Sequence, residues 1–256
     1  MRAEIIPGGT LGAGRTMTGK VAVITGGSQG IGAGLVAGYR GHGWAVVASA
    51  RTISPSEDPD LLTVAGDVAE SGTADRIIGA ALRRFGRIDT LVNNAGAFIS
   101  KPFSDYTAED YALIVEVNLT GFFWLTRRAV AEMATRYGGH VVNVTATLGE
   151  VANSGTPAVL AALTKGGLAA ATRSLAVEYA SRGIRVNAVS PGIVQTPMHP
   201  RESYDDLGGR LPPLGRPGQV SDVVDGVLFL ESSPYITGEI LHIDGGQTAG
   251  NSELLA

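Results

Sequence analysis

The sequence contains no cysteine, which excludes disulfides and thiolate metal sites and leads us to expect a cytoplasmic protein. Its four histidines, His42, His140, His199 and His242, are scattered, and none has a partner at helical metal-ligand spacing, so no metal site is expected. There is no basic run. With 20 basic against 24 acidic side chains and a net charge of −4, nucleic acid is not an expected partner. No apolar stretch is long enough to span a membrane, and the opening MRAEIIPGGTLGAGRTMTGK lacks the apolar centre of a signal peptide. Membrane binding is therefore not expected either.

What is present is alternation. Apolar, β-rich runs such as KVAVITG, WAVVASA, LLTVAGD, IDTLVNNAG, HVVNVTA, IRVNAVS and EILHIDGG are separated by stretches with helical period. The expected helices cover about 30–40, 73–85, 108–137 (bent near Gly121), 156–182 and 220–230. Nearly continuous apolar strands imply a parallel sheet covered on both faces, hence an α/β fold of the doubly wound, Rossmann type. We expect one domain over 19–256, preceded by a glycine-rich extension over 1–18, with an irregular substrate loop at about 193–217. One connection departs from the pattern: RTISPSEDPD, between the second and third strands, is a poor helix because of its two prolines and its short polar side chains.

TGGSQGIG, Thr25 to Gly32, follows the first strand and opens the first helix. Gly26 permits the tight turn, Gly30 lets the backbone approach a pyrophosphate, and Gly32 allows helix and strand to pack closely. Ser28, Gln29, Gly30 and Ile31 stand where free N–H groups at a helix N-terminus would meet phosphates. Among 36 glycines such a loop means little alone, but its strand–loop–helix setting points to a dinucleotide. At the end of the second strand an acidic residue would hold both ribose hydroxyls. Here Ala50 and Arg51 occupy that place, and arginine suits a 2′-phosphate, so NADP(H) is expected over NAD(H).

Together with GDV (66–68), NNAG (93–96), Asn118, Lys165, PG (191–192) with Thr196, and DGG (244–246), this loop makes the chain resemble the short-chain dehydrogenase/reductase family from Gly19 to about Gln247. The resemblance implies a seven-stranded parallel sheet. It places Asp67 and Val68 at adenine, and Asn94, Ala95 and Gly96 beside the cofactor. Lys165 would hold the nicotinamide ribose, and Pro191, Gly192 and Thr196 would lie over nicotinamide and substrate. It also implies a tetramer or dimer built through the long helices and the last strand.

The family's catalytic set is tyrosine, lysine, serine and asparagine. Asn118 and Lys165 match. The tyrosine position, one helical turn before Lys165, is Ala161, and the serine position is Ala146 or, with a shifted register, Thr147. Three readings follow. A reductase of a small C=O or C=N substrate could use a substitute donor, for which Thr147, Glu150, His199 and Tyr204 are candidates. A substrate such as a protonated imine could need no strong acid, with Glu150 stabilising its charge. Or the chain could be a catalytically silent NADP(H)-binding sensor or partner subunit.

Overall fold

A computed structural model describes residues 19–136, 138–152, 155–197 and 211–250. In chain order the elements are β1 (Val21–Thr25), α1 (Gly30–Gly41), β2 (Ala45–Ala50), β3 (Leu61–Ala65), α2 (Ser71–Phe85), β4 (Thr90–Asn93), α3 (Ala108–Val115), α4 (Gly121–Ala134), β5 (Gly139–Val144), α5 (Val159–Tyr179), β6 (Ile184–Pro191), α6 (Val220–Ser232) and β7 (Ile240–Ile243). The strands form one sheet in the order β3-β2-β1-β4-β5-β6-β7, and every pair is parallel. The order reverses between β1 and β4. In such sheets the crevice at the carboxyl ends beside that reversal is the binding place.

The near-continuous apolar strands have the burial that two covered faces require. All of β1 and β4 is buried. Alternate side chains of β1 enter different cores. Val21 and Val23 pack with Ile77 and Ile78 of α2 and with Leu125 and Met133 of α4. Ala22 and Ile24 pack with Leu35 and Tyr39 of α1 and with Val223, Val227 and Leu230 of α6.

The exception is β3, none of whose residues is fully buried. The crossover from β2 to β3 has no helix over 51–60, as its prolines foretold. Ile53 partly covers the α1-side core in place of a helix. Arg40 on α1 pins the far end of the loop through Asp58 at 2.8 Å and Asp60 at 3.8 Å. An open groove of about 420 Å3 remains, bordered by Ser28, Val36, Thr52, Ile53, Pro55 and Leu61.

Three expected boundaries move. The long helix is broken by a π-turn at Glu116–Thr120, just before Gly121, where a Cβ would lie 2.8 Å from the Val68 side chain. Its second part ends at Ala134, before Tyr137. Finally, α5 begins at Val159 instead of Thr156, because a residue before proline is barred from helical torsions and Pro157 follows Thr156. A short 3₁₀ turn at Ala180–Arg182 closes it. The extension over 1–18, and His199 and Tyr204, lie outside the described residues.

Candidate active site

The turn after β1 is shaped by its glycines. Gly26 and Gly30 have φ of 66° and 54°, the left-handed region that favours glycine. A Cβ on Gly32 would stand 2.0 Å from the Gly26 carbonyl oxygen, so no side chain fits there. At Gly30 the nearest neighbour would be Thr196, whose Cγ2 would lie 3.5 Å away. The chain beyond Pro191–Gly192 therefore reaches the loop itself. No side chain caps α1 at Gln29, so its first-turn N–H groups are left for a ligand. Ser28 and Gln29 are exposed, while Ile31 packs partly into the α1-side core.

Asn94 proves to be a clamp on this turn. Its Nδ2 donates to the carbonyls of Thr25, at 2.8 Å, and Gly26, at 3.3 Å. The Thr25 hydroxyl accepts the N–H groups of both Asn94 and Ala95 at 3.0 Å, tying β1 to β4. Sequence reasoning left Thr25 out of the site. The available signal was a buried hydroxyl at a strand end, which must find partners.

At the outer end, Ala50 closes β2, and Arg51 is exposed with no ion pair among the described residues. Asp67 accepts the N–H of Ala69 at 3.0 Å, which turns the chain there, and Val68 is buried behind it. These residues fit the adenosine end of a dinucleotide, with the open groove beside Ser28 and Thr52 leaving room for a 2′ substituent.

The inner end gathers Gly96, Asn118 and Lys165. A Cβ on Gly96 would lie 3.3 Å from Lys165 Nζ and 3.4 Å from Asn118 Oδ1. Asn118 sits in the π-turn, an insertion frequent at functional sites. Its amide does not repair its own helix: Oδ1 accepts from the Ala97 N–H at 2.8 Å, while Nδ2 donates to the Ala97 carbonyl and to Thr164 Oγ1, both at 3.1 Å. Lys165 Nζ donates to the Val144 carbonyl at 2.8 Å. The residue as a whole is only partly buried, yet the ammonium is enclosed deeply enough that desolvation lowers its pKa to about 8.

Among the described residues, the sequence-singled positions around this cluster are placed as follows. Ala161 and Lys165 are one turn apart on α5, and Ala161 is 3 % exposed. Ala146 is partly buried, and Thr147 starts a short 3₁₀ turn and is buried. Glu150 does not stand free as a stabiliser of charge. Its Oε1 accepts from Ser190 Oγ at 2.9 Å, and its Oε2 meets His242 Nε2 at 2.8 Å, so it fastens the turn after β5 to β6 and β7. Those partners lie far away in sequence and left no local signal. Pro191 ends β6, paired with Ile243, and a Cβ on Gly192 would lie 2.8 Å from Gln247 Oε1. The Gln247 oxygen is buried without a partner.

The family model described as "Enoyl-(Acyl carrier protein) reductase" matches residues 26–248. A 3-oxoacyl-[acyl-carrier-protein] reductase of Synechocystis sp. is 33 % identical over 243 residues, covering 90 % of this chain and 97 % of that one. Among solved structures, "ElxO with NADP Bound" is similar at TM-score 0.82 and 27 % identity, covering 91 % of this chain and all of that one. A 3-ketoacyl-(acyl-carrier-protein) reductase from Brucella melitensis complexed with NADH is similar at TM-score 0.80 and 29 % identity, covering 90 % and 98 %. The glycine turn, the placement of Asn118 and Lys165 beside Gly96 and the sheet order thus agree with matches over nearly the whole chain, which belongs to the short-chain dehydrogenase/reductase family of oxidoreductases.

Proposed function

We propose that the protein is an NADP(H)-dependent reductase of a small C=O or C=N substrate, with a proton donor other than the tyrosine of its family. The observation that carries this is the placement, at the carboxyl ends of the strands, of a helix N-terminus without a side-chain cap, an Arg51 without an ion pair among the described residues and the Gly96–Asn118–Lys165 cluster. The first would bind the pyrophosphate through backbone N–H groups. Arg51, helped by the hydroxyls of Ser28 and Thr52, would take the 2′-phosphate. Lys165 would hold the nicotinamide ribose, and Thr196 would lie across the phosphate turn. The reduced cofactor supplies hydride. Asp67 and Val68 would border adenine, and Asn94 and Ala95 would border the cofactor, with the Asn94 side chain holding the turn in shape.

The acyl-carrier-protein reductases among the relatives support a 3-oxoacyl group as the first substrate class to try. Exposed Tyr111, Phe123, Leu163 and Val177 on α3, α4 and α5 support self-association through these helices, giving a tetramer or dimer. Titrating the protein with NADPH and NADH by nucleotide fluorescence, then assaying ethyl acetoacetate, other ketones and cyclic imines, tests the reading. Tighter binding of NADPH with turnover on one class is expected. Tight binding without turnover on any class would favour a silent nucleotide sensor, and equal affinities would remove the cofactor assignment.

A further inference from the structure

A carbonyl that accepts hydride must also gain a proton on oxygen. Among the described residues near the Gly96–Asn118 corner, the side chains able to give one are few. Ala146 and Ala161 have none. The Thr147 hydroxyl is far too weak an acid at neutral pH. Glu150 is held by Ser190 and His242. The remaining group is Lys165, one helical turn beyond Ala161 on the same face of α5. An ammonium carries three protons, and one of Lys165's is directed at the Val144 carbonyl. The others are not committed to a carboxylate: no ion pair reaches Lys165 among the described residues.

We propose that Lys165 is itself the proton donor of this site, standing in for a tyrosine instead of assisting one. The proposal rests on the reductase reading. As the carbonyl carbon takes up hydride from the reduced dinucleotide, its π electron pair moves to oxygen. Lys165 breaks one N–H bond, the oxygen forms one O–H bond, and the lysine is left as a neutral amine. Water restores its proton between turnovers. In the reverse direction the neutral amine accepts the proton of an alcohol.

An ordinary lysine would serve poorly, because it holds its proton too firmly at neutral pH. Desolvation brings Lys165 to about 8, close to the working range of an effective general acid. Nothing charged sets this value, since burial is its cause. On the elements packed against α5, Glu150 after β5 is engaged with Ser190 and His242, and Glu116 of the π-turn is exposed. From β6, Arg185 points to the carbonyls of Leu230, Glu231 and Ile236 at the opposite edge of the sheet. The residue one turn before the lysine contributes by being small: Ala161 places no phenol between the ammonium and the substrate.

The chain has only three lysines, Lys20, Lys101 and Lys165, which makes the test direct. In protein labelled with 13C at the lysine ε-carbon, the resonance lost in Lys165→Met should titrate near pH 8 in the parent. With ethyl acetoacetate as the probe, kcat/KM for reduction should fall about tenfold per pH unit above that value. Lys165→Arg keeps the charge but cannot release a proton. Measured at saturating NADPH, it should lose about 10²–10⁴ in kcat, and the remaining kcat should no longer fall with pH above 8. A Lys165 resonance that stays constant between pH 6.5 and 9.5 would overturn the proposal whatever the substrate. So would a Lys165→Arg variant that keeps both rate and pH profile, or a profile abolished instead by His199→Gln or Tyr204→Phe. Failure of the parent to bind NADPH would strike the reductase reading, a result distinct from any of these.

Discussion

Two strand-to-helix turns lie at the same edge of the sheet and are held in different degrees by backbone. The turn between β1 and α1 spans residues 26–29 and combines close backbone packing with two pinning side chains. Gly32 packs so closely on the Gly26 carbonyl that no Cβ fits, and Asn94 and Thr25 hold the turn to β4. In the turn between β5 and α5, the described residues are held by long-range side-chain bonds: Thr145 donates to the Val189 carbonyl at 2.9 Å, and Glu150 reaches Ser190 and His242. A backbone-built turn leaves little freedom to change. A turn built from side chains can be rewired one residue at a time, and here it carries Ala146 and Thr147. The difference leaves the second turn freer to change than the first.

The sharpest way to break the comparison is to add one methyl to the first turn. Gly32→Ala should abolish dinucleotide binding and lower Tm by about 10 °C, because the neighbour that must yield is backbone. Gly41→Ala, where a Cβ meets nothing within 4 Å, should leave both unchanged. Equal behaviour of the two variants in nucleotide titration and calorimetry would show that the turn tolerates bulk after all.

A smaller effect is expected at the outer end of the crevice. Arg51→Ala should weaken NADPH binding about tenfold while leaving NADH almost untouched. Unchanged selectivity would assign the 2′-phosphate to the hydroxyls of the groove.

The second turn's helix should prove tight in its own way. Ala161 is 3 % exposed, so a much larger side chain there must displace its neighbours. Ala161→Tyr should therefore cost about 1–3 kcal/mol and lower Tm by a few degrees. A melt identical to the parent's would mean that the neighbours open easily and that the two turns differ less than their contacts imply.

The smallest effect lies at the opposite edge of the sheet. There His140 Nδ1 is 3.0 Å from Glu231, and Nε2 accepts from Asn187 at 3.0 Å. Desolvation lowers the pKa of His140 against the pull of Glu231. The unfolded chain then binds a proton more readily than the folded one, so stability falls as pH drops from about 6.5 towards the lowered value. Melts at pH 7.5 and 5.0 should show a lower Tm in acid, and His140→Gln should reduce that difference. No change on substitution would assign the acid sensitivity to carboxylates.

Much of this was legible in the sequence, for reasons that differ by element. The glycine turn was readable because positive φ and close packing restrict residue type locally, and the helix missing between β2 and β3 because proline acts on its own neighbours. The spacing of Ala161 and Lys165 survives from sequence to structure because a helix preserves it. The bonds of Glu150 to Ser190 and His242 were not legible, because these partners come from β6 and β7, which no local pattern reveals. Asn94 matched a family motif, but whether it meets ligand or backbone depends on β1 lying next to β4. The start of α5 was set three residues early because helical periodicity was weighed above the proline rule.

The helix-free crossover from β2 to β3 has a consequence for how the protein can change over generations. Arg51, Thr52 and Ser54 are exposed, and the loop's far end is secured separately by Arg40. Substitutions at such surface positions usually shift stability by no more than about 0.5 kcal/mol. Selection can therefore explore nucleotide preference on this loop almost independently of folding, a freedom that the glycine turn a few ångströms away does not have.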